Sequence, residues 1–515
     1  MGISLEKMMA FSIGILVVAL MAFATIPLPS STASPTTKLK ILSPHWEGIL
    51  KEFKAAFEAY EAARGKNVEV EWVDLGGTEN IIRFIDSEFA KSPEGIGWDI
   101  LWGGGVDPFI IQAEKGQLQG YQVPQEILSK IPATFAGLPM YDNVHTPPRW
   151  YGTALSGFGI VYNKVVLAAQ GLPVPKTWED LARPEVKGWV GSADPRQSGS
   201  TRTMYEIILQ AYGWEKGLRI ATLLGANVKS FPASSSAIPK AVGTGDIAYG
   251  LAIDFYAWSE VMKHGADKIG YVMPEGLTVI NPDSIGILKG APNLEIAQDF
   301  VNFVLSKEGQ KLWMLRPGDP EGPKTYLLGR MSVIPELFTE LGNRTVVPIN
   351  PFQIKTALVY NSTKGSLREG LIGDLIGALI IDSHEELFAA WSSILEINQT
   401  LTKAKVTSPR IQEAINKLGS APLPEAQALS LGKQWSDPTV RNQYIANWHS
   451  FATTKYREAS AIAAAASSEI ISSLRTEAQN NLYIGIGGGF IIGLVIGILV
   501  VYAAMRRREL AAVKK

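Results

Sequence analysis

An α/β fold in two halves, continued by a helical C-terminal part and one membrane-crossing helix, is what the sequence predicts, and three observations carry it. Strand and helix patterns alternate from Lys38 onward. An extended apolar segment near Tyr151 interrupts them and opens a second set. Beyond Pro317 strand alternation gives way to helical periodicity, which ends in an uncharged stretch from Leu482 to Ala504. Repeated βα units imply a parallel sheet with helices packed across it.

From Met8 to Pro29 the chain is apolar and uncharged, preceded by Lys7 and followed by the Ser/Thr/Pro-rich linker SSTASPTTK, which is the pattern of an export signal. Ala22-Phe23-Ala24 offers a small-residue cleavage site, yet the run is also long enough for an uncleaved anchor, and both readings stay open. Residues 1–37 are therefore signal or anchor plus linker.

The first βα set begins with the alternating KLKIL of Lys38 to Leu42 and a helix from Gly48 to Ala63, with Ile49, Phe53, Ala56, Phe57 and Tyr60 on one face. Val68 to Val73 is the next strand, Gly76-Gly77-Thr78 a loop, and Glu79 to Ala90 a helix. Trp98 to Trp102 is a third strand, Gly103-Gly104-Gly105 its loop, and Pro108 to Lys115 a helix. Gly152 to Tyr162 is extended and crosses into a new region. The second set pairs Trp189-Val190 with a helix from Thr201 to Tyr212, Val228 to Phe231 with a helix from Ala237, and Ile247 to Ile253 with a helix from Tyr256 to Lys263. Tyr271 to Ile287 reads as the return path and Leu294 to Leu312 as one amphipathic helix. Leu371 to Ile381 and Leu387 to Ile397 are apolar helices of a helical extension over residues 321–480, which closes in an Ala/Ser-rich stalk.

The stretch 482–504 would reach about 34 Å as a helix, enough to cross a bilayer. Arg506, Arg507, Arg508, Lys514 and Lys515 follow it, so the positive-inside rule places the tail 505–515 in the cytoplasm and the bulk of the chain outside. Gly485, Gly489, Gly493 and Gly497 line one face of that helix; they fit a homo-oligomeric contact or a Gly-rich span without a partner. Sequons at Asn343, Asn361 and Asn398 fall in the exterior part, where glycans are added.

Of the 515 residues, 48 are Lys or Arg and 49 Asp or Glu, so net charge gives no reason to expect nucleic acid. The absence of cysteine excludes disulfides, thiol catalysis and Cys-ligated metal, and leaves stability to a large core. The chain has no Gly-x-Ser-x-Gly elbow, His-Glu-x-x-His, Walker loop or dinucleotide fingerprint, and no carboxylates that pair as acid and base. No cofactor is expected.

Ligands of open α/β sheets bind beyond the carboxyl ends of the strands, where helix N-termini favour anions. The loops with Ser43 and His45, Gly77 and Thr78, Gly104 and Gly105, Ser198-Gly199-Ser200-Thr201, and Ser235 occupy such places. The segment DPRQSGSTR from Asp194 suits either an anion or an ordinary capped helix. Asp254 and Tyr256 close a cap or face a cleft.

The segments ILSPHWEGILKEFKAAFE, WDILWGGG, WYGTALSGFGIVYNK, SADPRQSGSTRTMYEIILQAYGW, AIDFYAW and NPDSIGILKGAPNLEIAQDFVNFVLSKEGQKLW, in order between Lys38 and Trp313, resemble the extracellular solute-binding proteins of ABC importers, specifically the ferric-ion-type group. The resemblance implies a two-lobed periplasmic-binding-protein-like fold over 38–320, with lobe 1 at about 38–150 and 275–320 and lobe 2 at about 155–270. It also implies a small-molecule solute held between the lobes and partners in an ABC permease and ATPase. Ser156 and Asp283 join the expected cleft residues on this basis. Ferric members carry adjacent tyrosines where this chain has Phe255-Tyr256. Tyr256 alone remains as a metal donor, and an anionic or phosphorylated solute is expected ahead of iron. The C-terminal span resembles archaeal, membrane-anchored binding proteins. A surface hydrolase or transferase, or a sensor ectodomain, are the alternative readings.

Overall fold

The computed structural model describes residues 36–354, 358–403 and 405–482. The expected export signal, the transmembrane stretch beyond Leu482, its four glycines and the basic tail lie outside these residues. Among the described residues no helix is long and apolar enough to cross a membrane.

The first lobe is built on β1 (Thr37–Leu42), β2 (Val68–Val73) and β3 (Ile100–Trp102). β1 lies between the other two and is parallel to both. Helix α1 (Glu47–Ala63) covers the sheet with Ile49, Phe53 and Phe57, and α2 (Thr78–Lys91) with Ile81, Ile85 and Phe89, one residue per turn on a single face. α3 (Asp107–Glu114) and the short β4 (Leu118–Gln119) complete this part.

β7 (Tyr151–Asn163) joins the lobes; β5 (Thr134–Phe135) and β6 (Leu138–Pro139) form a small hairpin before it. From Tyr151 to Gly157 it pairs with β11 (Ile280–Leu288) on the lobe 1 side. From Phe158 to Tyr162 it pairs with β9 (Tyr249–Ile253), and from Ile160 to Asn163 with β10 (Ile269–Val272), in lobe 2. The change of partner falls between Gly157 and Phe158, which makes that peptide the place where the lobes meet. The expected parallel sheet is found as a mixed one: β11 and β7 run antiparallel to their neighbours, because a strand that crosses and one that returns must oppose each other. In lobe 2 β8 (Val190–Gly191) is parallel to β9. The strand expected at Val228 to Phe231 is reduced to a single bridge from Val228 to Val190.

Around the lobe 2 strands lie α4 (Lys164–Gln170), α5 (Gly199–Tyr212), α6 (Trp214–Asn227), α7 (Ala237–Thr244) and α8 (Asp254–His264). The single helix expected from Leu294 to Leu312 is two, α9 (Leu294–Leu305) and α10 (Lys307–Met314). Ser306 breaks it by accepting the Gly309 N–H at 3.1 Å as an N-cap.

The packing does not divide at residue 320. Leu328, Met331, Val333, Ile334, Leu337 and Val347 enter the main core, and Met331 bridges Leu155 of β7. Buried Glu52 of α1 accepts the backbone N–H groups of Lys324, Thr325 and Tyr326 at 2.6–2.7 Å and holds this segment against lobe 1.

The helical extension follows as α11 (Glu369–Ile376), α12 (His384–Lys403), α13 (Pro409–Leu418), α14 (Glu425–Gly432) and α15 (Pro438–Leu482). Its core joins Tyr205, Leu209 and Leu218 of lobe 2 to Leu371, Leu375, Trp391 and Ile394. Ala452, Tyr456, Ala459, Ala463 and Ala466 of α15 face the same core at alternating spacings of four and three, the seam of a packed helix. The Ala/Ser run expected as a stalk is thus packed as far as Ile470. The sequon residues Asn343, Asn361 and Asn398 are all exposed, and the Asn361 side chain caps a short helix by accepting the Lys364 N–H.

Candidate functional site

The loops beyond the strands of both lobes enclose a cavity of about 230 Å³. Lobe 1 contributes the turn after β2. There Asp74 Oδ1 accepts the N–H groups of Gly76 and Gly77 at 2.9 Å each and shapes the entry to α2. Gly77 has φ of +107°, and a Cβ on it would stand 2.1 Å from the carbonyl oxygen of Gln197 in lobe 2. The lobes therefore approach so closely here that only glycine fits. Lobe 2 contributes the start of α5, where Ser198 caps the helix by accepting the Thr201 N–H at 3.3 Å. Ser200 donates to Ser235 at 2.9 Å, and Ser198 stands 3.3 Å from Ser200, giving a short hydroxyl chain along the wall. The N-termini of α2 and α5, where the helix dipole favours an anion, thus border one space.

The floor is an ion pair. Asp283 sits at an irregularity in the pairing of β11 with β7, which turns its side chain out of the ladder and into the cavity wall. Arg330 Nη1 donates to Asp283 Oδ2 at 2.6 Å and its Nη2 to Ser156 Oγ at 2.6 Å. The guanidinium lies over the rings of Phe255 and Trp313, 4.5 and 5.1 Å from their centroids. Its Nε is buried and has no hydrogen-bond partner among the described residues. Burial alone would raise the Asp283 carboxyl, but Arg330, His45 and the Gly105 N–H outweigh it and hold it well below the usual carboxylate range.

His45 Nε2 lies 2.8 Å from Asp283 Oδ2, and its Nδ1 lies 3.0 Å from Ser43 Oγ. Burial keeps the imidazole neutral by pushing its pKa down. Positive-φ Gly103 leaves room for that ring, since a Cβ there would meet it at 2.7 Å.

The structure brings His45, Gly77, Thr78, Gly104, Gly105, Ser156, Ser198, Gly199, Ser200, Ser235, Tyr256 and Asp283 to the cavity. Ser43, Thr201 and Asp254 stand behind its wall. Asp254 takes the Gly157 N–H on Oδ2 at 2.8 Å and the Phe255 N–H on Oδ1 at 2.7 Å, at the point where β7 changes lobes. Burial raises its carboxyl to about 7, against the lowering effect of those bonds and of Arg330. The Tyr256 phenol is likewise pushed up by burial and stays protonated at neutral pH. Among the described residues no group of three or more His, Asp or Glu side chains is arranged to hold a metal.

Arg330, Asp74 and Gln197 also line the cavity and were not among the residues expected there. Arg330 fell in the part read as helical extension. Its signal is a lone charge inside the largely apolar run from Tyr326 to Ile334, which must be paired if buried.

Residues 107–317 match the family model described as bacterial extracellular solute-binding protein. Over 159 residues the chain is 27% identical to the phosphoglycerate transport regulatory protein PgtC of Salmonella typhimurium, covering 31% of this chain and 39% of that one. Over 248 residues it is 27% identical to the iron uptake protein A1 of Synechocystis sp., covering 46% and 63%. The chain thus spans about two fifths of the first of these curated relatives. The structure of the periplasmic binding protein P5PA superposes with a TM-score of 0.54 at 22% identity, covering 65% of this chain and 97% of that one, which is a likeness of fold. With two α/β lobes and a cavity between them, residues 107–317 are thus similar to the bacterial extracellular solute-binding proteins, and the likeness of fold extends over 65% of the chain.

Proposed function

We propose that the cavity takes a small anionic solute, with a phosphorylated organic compound as the favoured class, and that the chain delivers it to an ABC permease. The observation that carries this is the convergence of three anion-seeking features on one space: the N-terminus of α2, the N-terminus of α5, and the Arg330 guanidinium. The serine hydroxyls add neutral donors, and Phe158, Ile253 and Phe255 offer an apolar wall for a carbon skeleton. A volume of about 230 Å³ suits a compact metabolite.

Iron is the weaker reading. A ferric ion needs several anionic oxygen donors, whereas here Tyr256 has Phe255 and not a second tyrosine beside it, and Arg330 already claims Asp283. Phosphoglycerate and iron, the solutes in the names of the two relatives, therefore separate on the charge of the floor.

Closure is a bend of β7 and β11 at Gly157 and Phe158. Export through residues 1–37, tethering through 482–504 and glycans at the sequons complete the proposed setting at the outer face of a membrane, where a tether raises the local concentration at the permease.

Thermal unfolding with inorganic phosphate, phosphoglycerate, sugar phosphates and ferric citrate tests the assignment. A phosphate ester at ~100 times its Kd stabilises by about 2.7 kcal/mol. Stabilisation by ferric citrate alone would reverse the order, and turnover of an ester would restore the hydrolase reading.

A further inference from the structure

The helical extension is seated on lobe 2. Buried Arg368 donates to both carboxylate oxygens of Glu206 at 2.8–3.1 Å, the Trp391 indole N–H donates to Asn227 at 2.8 Å, and the Trp214 indole N–H to the Leu423 carbonyl at 2.8 Å. At its beginning, however, two consecutive residues hold opposite lobes. The Tyr360 hydroxyl donates to Asp107 Oδ2 of lobe 1 at 2.6 Å. Asn361 exchanges two hydrogen bonds with the Gln210 amide of lobe 2, at 2.7 and 3.1 Å. A few residues on, Glu369 pairs with Arg202 of lobe 2, whose other nitrogen pairs with Glu79 of lobe 1. Arg202 is only 3% exposed and lies between the two carboxylates.

Each tie falls on, or within two residues of, a segment that borders the cavity. Glu79 follows Thr78 at the start of α2, Arg202 lies in the first turn of α5, and Asp107 opens α3 two residues after Gly105. We propose that the extension is an interlobe latch, in which Tyr360 and Glu369 are positioning residues that bias the two lobes toward closure before solute arrives. Opening must break the Tyr360 to Asp107 bond and pull Glu79 from Arg202, leaving buried polar groups without partners, whereas closure restores both. A bias of this kind raises the share of chains competent to hold solute and so tightens apparent affinity. The inference rests on the reading of the lobes as halves that part to admit solute.

The absence of cysteine allows a direct test. Spin labels on Glu126→Cys in lobe 1 and Lys240→Cys in lobe 2, both exposed, report the interlobe distance in the full chain without solute. The expected result is one dominant short distance in the parent. Tyr360→Phe combined with Glu369→Gln gains a longer-distance population about tenfold larger, the change that ~1.4 kcal/mol produces. Glu79→Gln, which leaves the extension untouched, gains the same population. Identical distributions in the parent and in both variants, with unchanged circular dichroism, would overturn the latch. Added millimolar inorganic phosphate separates the two readings: variants that open and stay open with phosphate support the latch while removing the anion-driven closure.

Discussion

Arg330 Nη1 stands 2.6 Å from Asp283 Oδ2, on the floor of a cavity bordered by two helix N-termini, and its Nε remains unbonded among the described residues. The pair keeps a positive group buried at modest cost. Arg330 is thus the counter-ion of Asp283 and, on the proposed reading, also a ligand donor, and substitutions can separate the roles.

Arg330→Lys keeps the charge but loses the fork that reaches Asp283 and Ser156 together. Affinity for the phosphate ester selected by thermal shift falls tenfold to a hundredfold in calorimetry, from roughly 1.5–3 kcal/mol of lost charge-assisted bonding. Arg330→Ala also lowers stability by about 3–5 kcal/mol, because Asp283 is left buried without its partner. Unchanged affinity in the lysine variant would remove Arg330 from the binding groups.

Gly77→Ala places a methyl group against the Gln197 carbonyl across the cleft. Closure is blocked while each lobe keeps its own core, so solute affinity drops at least ~10-fold. The unfavourable φ costs roughly 1–2 kcal/mol of stability. Wild-type affinity would mean that the two turns do not meet in the bound state.

Asp254 carries the pH dependence. Its carboxyl is raised in the fold to about 7, so the protonated form is the one the fold prefers. The stability this supplies is complete below the unfolded value near 4 and is lost as pH climbs through about 7. His45, held neutral by burial, pulls the other way below its ordinary value. The melting temperature of the parent minus that of Asp254→Asn therefore declines from pH ~4 to ~7, and a flat difference would place the carboxyl at its ordinary value.

Glu52→Gln removes the charge that collects the N–H groups of Lys324, Thr325 and Tyr326. Stability falls by about 2 kcal/mol or more, and binding weakens with it because the same segment delivers Arg330. Lost stability with intact binding would show that Arg330 is placed independently of this anchor.

The lobes were legible because β1, β2 and α1 to α3 each follow a short-range rule: alternation, one apolar face, glycine after the strand. The boundary near 320 was not. Leu328, Val333 and Ile334 are apolar without strand periodicity, and their place in the main core depends on Glu52, some 270 residues earlier in the chain. Ser43, Thr201 and Asp254 carry the right chemistry near the right turns, yet periodicity does not distinguish the wall from what lies behind it. Asp254 is drawn to the Gly157 N–H by a pairing change in β7 that only the sheet order reveals. The split at Ser306 was visible as a serine three residues before the Gly309 N–H that it caps, though the apolar face of α9 and α10 runs on past it.

The most direct test is the crystallographic density in the cavity after growth with a mixture of phosphate esters and ferric citrate. The account predicts a phosphate group within hydrogen-bond distance of the Gly199 and Ser200 N–H groups and of the Arg330 guanidinium, with the organic part toward Phe158 and Phe255. A metal peak on the Tyr256 hydroxyl with no phosphate would contradict it.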